Sequence, residues 1–261
     1  MKKTVYDLVS KAVKTFSKSD IVAKKINNHN KQLYYERSQH LTFLFQKQIQ
    51  YEEQIQNKIK AYIKPGDVVF DIGANIGQYA LPFSEVVGPS GTVYSFEPDF
   101  KNYAFLQFNV NINKCTNVKC FNYGISKENA QQEFFRDTET GGRKGSFKRK
   151  FVEDSFKGFT ENVTIKSLDA LVTEFGQPNL IKIDAEGCED DIISGLTIDL
   201  KNCVFAVEVR EDTKHVIFDY FTKKGYDCIW IDHKDRPINN AEDIPGYANL
   251  IFKRSSTNQQ K

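Results

Sequence analysis

The sequence predicts an α/β fold built on a mainly parallel sheet. Three observations carry that prediction. From residue 66 onward, short apolar runs alternate with stretches of helical length and periodicity. A glycine-containing turn, "DIGANIG" at 71–77, joins the first apolar run to the helix after it. The last two runs, "YDCIWID" and "YANLIFKR", have no helix between them, so they are most simply antiparallel.

Residues 1–60 read as a helical extension ahead of this pattern. Val5, Leu8, Val9, Ala12, Val13 and Phe16 recur at helical spacing, with Lys2, Lys3, Lys11 and Lys14 elsewhere. A basic amphipathic helix suits a peripheral membrane contact, packing on its own domain, or a homodimer interface. "LFQKQIQYEEQIQNKIKAYI" (44–63) reads as a second helix, stopped by "KPGD".

The main domain is expected over 61–254. "DVVFDIG" is its first strand. "IGQYALPFSEVVG" is its first helix, ended by Gly88, with Pro82 imposing a kink or a late start. "GTVYSFE" is the second strand, and "DFKNYAFLQFNVNIN" a helix with Asp99 as its cap. "NVKCFNYGI" is the third strand, followed by a short "QEFF" and by "NVTIKSLD". "LDALVTEFG", "CEDDIISGL" and "TKHVIFDYFTKKG" are helices, and "NLIKIDAEG" and "NCVFAVEV" are buried strands between them. Residues 136–160 interrupt the rhythm. Arg143, Lys144, Lys148, Arg149 and Lys150 crowd there beside Gly141, Gly142 and Gly145. This insertion is either a solvated loop or a substrate lid that grips a phosphate-linked or acidic acceptor. Residues 255–261 read as a disordered tail.

The bulk numbers exclude several classes. The chain has 261 residues, 40% hydrophobic and 27% charged, the balance of a globular protein. A net charge of +2 argues against a dedicated nucleic-acid binder. No apolar run reaches membrane-spanning length. Lys11 and Lys14 interrupt the N-terminal apolar stretch and no small-residue cleavage site follows, which argues against a secretory signal. The five cysteines show no C-x-x-C spacing and sit mostly in apolar elements, as reduced thiols of a cytoplasmic protein would.

In open α/β sheets a ligand binds outside the carboxyl ends of the strands, where the strand order reverses. "DIGANIG" falls there. A dinucleotide fingerprint would need a middle glycine for pyrophosphate, and Asn75 takes that place. Asp71 at the strand end repels phosphate but suits an ammonium group. Glu97 ends the next strand 24 residues after Gly73, where an acid commonly accepts hydrogen bonds from ribose hydroxyls. An acid for an amine, an acid for a ribose and no phosphate cradle describe S-adenosylmethionine better than NAD. Two other readings are a catalytically silent protein that binds the same cofactor and an NAD-dependent oxidoreductase.

"IKPGDVVFDIGANIGQYAL", "TIKSLDALV" and "NLIKIDAEGCEDDIISGL" together resemble the FkbM family of class I S-adenosylmethionine-dependent methyltransferases, over about residues 59–254. The resemblance implies a seven-stranded Rossmann-like fold with one antiparallel strand. It implies that Asp71, Gly73, Asn75 and Gly77 line the methionine end of the cofactor and that Glu97 holds the ribose. It implies that Pro98 and Asp99 turn beside the adenine, and that Asn122, Tyr123, Gly124, Ile125 and Ser126 reach the adenine region. "GGRKGSF" resembles a weaker family element that places Gly145 and Ser146 near the site. The implied acceptor is a small molecule or glycan, with O-methylation of a sugar hydroxyl of a glycan, glycolipid or natural product.

Methyl transfer to a hydroxyl needs alignment plus a base or a metal to take the proton. Acids at the strand ends are the geometric candidates: Asp184 and Glu186 after "NLIKI", and Glu208 at the end of "CVFAVEV". Along an extended strand Asp184 and Glu186 share one face. Asp184 is the first choice as base. Asp184 with Glu208 also offers oxygen ligands to Mg²⁺, although nothing in the sequence demands a metal. His215 and His233 are further candidates.

Overall fold

The computed structural model describes residues 8, 9, 12, 15, 20–136, 145–148, 159–232 and 234–255. Leu8, Val9, Ala12 and Thr15 are helical. The other positions of the expected N-terminal helix, most of the basic insertion, His233 and the tail beyond Ser255 lie outside the described residues.

The N-terminal segment departs from the expected helical extension. It opens with a two-stranded antiparallel hairpin, β1 (Ile21–Lys25) and β2 (Gln32–Glu36). The hairpin turns through Asn28 at φ 58°. A four-residue helix α1 (Leu41–Leu44) follows, and then α2 (Glu53–Lys60). The expected helix over 44–63 is therefore cut to its second half. Ile49 pairs with Ile26 in an extended bridge, which takes the first half. Glu52 at φ 45° breaks what remains. The overlooked signal was "IVAKKINNHNKQLYYE": β-branched and alternating residues flank an asparagine turn.

The main sheet then forms in order. Its elements are β3 (Val68–Ile72), α3 (Ala80–Val87), β4 (Thr92–Phe96), α4 (Phe100–Ile112) and β5 (Val118–Phe121). Helix α3 starts late, at Ala80. Pro82 therefore sits in the first turn, where no amide donor is required. Asp99 caps α4 as expected, accepting from the amides of Lys101 and Asn102.

The expected third strand breaks at Asn122. Its second half is β6 (Tyr123–Ser126), which leaves the main sheet for a small one with β7 (Ala130–Phe135) and β8 (Thr160–Ser167). The remaining elements are α5 (Leu168–Phe175), β9 (Leu180–Ile183), α6 (Glu189–Ser194), β10 (Val204–Arg210), α7 (Lys214–Lys223), β11 (Tyr226–Trp230), β12 (Arg236–Ile238) and β13 (Tyr247–Arg254). The main sheet has the order β12-β11-β13-β10-β9-β3-β4-β5. Strand β13 inserts antiparallel between β10 and β11. The three-residue β12 adds an eighth, antiparallel edge to the expected seven strands.

Alternation along the buried strands feeds two cores, one on each face. Phe70, Ile72, Ile181, Ile183, Phe205 and Val207 pack under α5, α6 and α7. Val69, Val93, Leu180, Ala206 and Ile251 pack under α3 and α4. Each such side chain contributes about 1.5–3 kcal/mol on burial. Leu33 and Tyr35 of the hairpin join the second core, so the N-terminal segment is part of this layer.

Two asparagines of α4 fix the hairpin there. Asn109 accepts from the Tyr34 amide (2.8 Å) and donates to the Tyr34 carbonyl (3.0 Å). One helical turn later, Asn113 does the same with Gln32 (2.8 and 2.7 Å). Side chains four apart on a helix rise about 6 Å, close to the two-residue step of a strand. The pair thus satisfies the free edge of β2 as a neighbouring strand would.

Asn109→Ala would leave the half-buried Tyr34 amide without its partner. We expect a loss of about 2–3 kcal/mol in urea unfolding and faster exchange of the Tyr34 amide. Unchanged exchange at Tyr34 would mean that the hairpin is held by its apolar face alone.

Candidate active site

A cavity of about 520 Å³ opens at the carboxyl ends of β3, β4, β9 and β10. That volume lies within the range of sites for small molecules and cofactors. Its floor is the turn after β3. Gly73 has φ 76° and Asn75 has φ 49°, both in the left-handed region. A side chain on Gly73 would place Cβ 1.8 Å from the backbone oxygen of Asp184. Only glycine lets β3 and β9 approach so closely.

Glu97, at the end of β4, also lines the cavity. It accepts from the amides of Asn75 (2.7 Å) and Asp99 (3.0 Å), one on each oxygen. Each oxygen keeps one further hydrogen-bonding position for a ligand. Burial, with Asp99 adding repulsion, pushes its carboxyl up to about 8.

Between the turn and β9 lies a buried charge. Lys182 Nζ stands 3.6 Å from Asp71, 3.3 Å from Asp184 and 4.5 Å from the centre of the Tyr79 ring. Burial opposes its charge, but Asp184, Asp71 and Glu52 together hold the ammonium above its ordinary value. Tyr79 in turn donates to Glu52 (2.8 Å).

On the opposite side, Arg210 binds Glu186 (2.6 Å) and Glu208 (3.0 Å), and Tyr247 donates to Glu208 (2.5 Å). Burial pushes Glu208 up to about 9, with Asp184 and Glu186 adding to the shift.

The model of the methyltransferase FkbM domain matches residues 71–228, more than half of the chain and every strand end that lines this cavity except that of β13. The chain belongs to the methyltransferase FkbM domain family. Two curated relatives agree. The 31-O-demethyl-FK506 methyltransferase FkbM of Streptomyces tacrolimicus is 49% identical over 47 residues, 18% of each chain. The hexuronic acid methyltransferase AglP of Haloferax volcanii is 28% identical over 145 residues, 54% of each chain. The matches thus span about a fifth and about half of those relatives' length. Among solved structures, P. horikoshii TYW2 in complex with MeSAdo superposes with a TM-score of 0.51 at 13% identity. That match covers 96% of this chain and 81% of that one, a likeness of fold. Methyltransferase FkbM from Methylobacillus flagellatus KT gives a TM-score of 0.48 at 15% identity, over 76% of this chain and 50% of that one.

Within this FkbM domain the expected site residues separate into two groups. Gly73, Asn75, Glu97, Pro98, Tyr123, Ile125, Asp184, Glu186 and Glu208 line the cavity. So does Gly145, while Ser146 lies behind it and donates to the Glu186 carbonyl (3.1 Å).

Asp71 does not line it. Its side chain alternates into the second core layer, fully buried against Lys182. Gly77 faces Leu106 of α4. Asp99 is occupied as helix cap and as partner of Arg136 (3.0 Å). Asn122 donates to the carbonyls of Glu97 and Pro98, both at 2.9 Å, and shapes that turn from behind. Gly124 is packed under Phe147, and Ser126 lies beyond the lining. His215 is exposed on α7.

The strand alternation invoked for Asp184 and Glu186 does not hold. Strand β9 ends at Ile183 and Glu186 is left-handed at φ 49°. Both side chains reach the cavity through the turn instead. Buried Glu189 fixes that turn by accepting from the amides of Ala185 (3.1 Å) and Gly187 (3.0 Å). Among the described residues no group of three or more acidic, histidine or cysteine side chains is placed to hold a metal. None of their helices is long and apolar enough to cross a membrane. All five cysteines are free.

Sequence reasoning missed Lys182, Arg210, Tyr247, Tyr79, Tyr51 and Glu52. Lys182 carried a signal: a lysine inside an otherwise apolar, fully buried strand requires a partner. Lys148, from the basic insertion, pairs with Asp190 (2.7 Å) and Asp191 (3.0 Å) on α6 and does not line the cavity.

Gly73→Ala should destabilise the fold by about 3 kcal/mol or more, read as a lower urea midpoint. A stable variant would contradict the close approach of β3 and β9. A second expectation concerns pH. An unfolded glutamate titrates near 4.5, whereas folded Glu97 and Glu208 titrate near 8 and 9. The folded state therefore holds more protons across that window, so stability is full below about 4.5 and falls as pH rises through 8 to 9. We expect Tm to decline from mildly acidic to alkaline pH, and Glu208→Gln to reduce the slope. A Tm that rises over this range would refute it.

Proposed function

We propose that this protein is an S-adenosylmethionine-dependent O-methyltransferase that methylates a sugar hydroxyl. The observation that carries this reading is one cavity lined by the Gly73–Asn75 turn, by Glu97 bonded to the Asn75 amide, and by Asp184, whose backbone packs against Gly73. The family supports methyl transfer. The name of the relative AglP supports a carbohydrate acceptor.

The residues present fit the cofactor. The backbone of Gly73 and Asn75 and the side chain of Gln78 would hold the methionine end. Gln78 lines the cavity, and its buried Oε1 lacks a donor that an ammonium would supply. The buried Glu97 carboxyl, which can accept one hydrogen bond and donate another, suits a ribose diol. Tyr123, Ile125 and Phe147 offer an apolar wall for the adenine. When bound, the cofactor supplies a methyl group on a sulfonium, already activated toward displacement.

The remaining work is alignment, exclusion of water and removal of one proton. Asp184 is the best-placed base. Its neighbour Lys182 holds one oxygen at 3.3 Å, and the residue lines the cavity. Glu186 is committed to Arg210, and Glu208 keeps its proton at neutral pH.

The reading is tested with S-adenosylhomocysteine by calorimetry. Wild type should bind in the micromolar range, and Glu97→Ala should weaken binding at least about 30-fold. Asp184→Asn should bind normally but lose about 10²–10⁴ in methyl transfer. Absence of binding by folded wild type would reject the cofactor, and full turnover by Asp184→Asn would reject the base.

A further inference from the structure

The cavity is not finished by the FkbM domain. Tyr51 and Glu52 line it, and both precede residue 71, where the family match begins. Glu52 sits at the N-cap of α2 with φ 45° and no side-chain capping bond. A left-handed glutamate costs about 1–3 kcal/mol, and such strain clusters at binding sites. Serine or aspartate would cap this helix better. The side chain instead meets the hydroxyl of Tyr79, whose ring lies under Lys182.

Glu52 joins Asp184, Glu186, Glu208 and Glu97 around one space. Among the described residues, the cations lining it are Lys182 and Arg210. Lys182 is held by Asp71 and Asp184, and Arg210 by Glu186 and Glu208. Each of the two cations is thus already matched by carboxylates. Burial, with Asp184 and Glu186 close by, pushes the Glu208 carboxyl upward, the response of a wall already crowded with acids. Carboxylates accept hydrogen bonds and are well matched to hydroxyl or ammonium donors. Tyr247, half exposed at the rim, adds an aromatic face beside Glu208.

We propose that Glu52 is an acceptor-specificity residue, and that the carboxylate wall it completes selects a sugar unit carrying no negative charge, a neutral or amino-bearing polyol. This inference rests on the methyl-transfer reading above.

The test uses the full chain, methyl-labelled S-adenosylmethionine and a glycan and glycolipid extract of the source cells. The labelled sugar is released by acid hydrolysis and passed over an anion exchanger at neutral pH. We expect it to flow through. We expect Glu52→Gln to raise the apparent KM for the extract at least tenfold, with kcat recovering at high extract. Its affinity for S-adenosylhomocysteine should stay within twofold of wild type, and Glu52→Asp should restore part of the loss. Retention of the labelled sugar as an anion, or an unchanged KM in Glu52→Gln, would overturn the inference while leaving methyl transfer intact. Wild type that binds S-adenosylhomocysteine yet labels nothing would overturn both.

Discussion

The ammonium of Lys182 is the interaction on which the site depends. It is fully buried in the middle of β9, across from Asp71 in the register of β3. An isolated charge there would be prohibitively costly, and so would an isolated Asp71. Together they tie the two central strands at the point where the sheet reverses its order. The second contact, to Asp184, carries the same charge to the cavity wall. The absent side chain of Gly73 brings the Asp184 backbone against β3, so the carboxylate is aimed by covalent geometry and charge at once.

That arrangement explains why the strand-end acids differ in role. Asp71 works inside the wall, Asp184 in its surface. Glu186 and Glu208 share one guanidinium, and Glu208 also has the Tyr247 hydroxyl. Carboxyls crowded in a low-dielectric cleft are pushed toward their protonated forms. The carboxylate of Asp184 stays paired with the buried lysine at the cavity wall.

The N-terminal hairpin belongs to the same argument. Its edge is closed by Asn109 and Asn113, which stand in for a strand. Its core side chains Leu33 and Tyr35 lock it onto the layer of α3 and α4. The chain leaving it is then forced past the cavity mouth, where the left-handed turn at Glu52 delivers Tyr51 and Glu52. A segment outside the matched domain thereby becomes part of the cavity wall.

By itself the sequence determined the α/β rhythm, the position of the glycine turn at 71–77 and the acids at the strand ends. These depend on local periodicity, on glycine and proline chemistry, and on the short-range rule that ligands sit at the carboxyl ends of parallel strands. It also made Asp99 a cap and left Pro82 to a kink or a late helix start, of which the structure took the late start. Tertiary structure decided which acids face the ligand and which face the core, because that choice follows from strand register and from turns such as the left-handed Glu186. It decided that residues 21–36 form a hairpin, since the edge of β2 is satisfied by asparagines 75 to 81 positions away. It brought Lys182, Arg210 and Glu52 to one cavity from three distant segments. No local pattern encodes such a meeting, because it depends on how the layers pack.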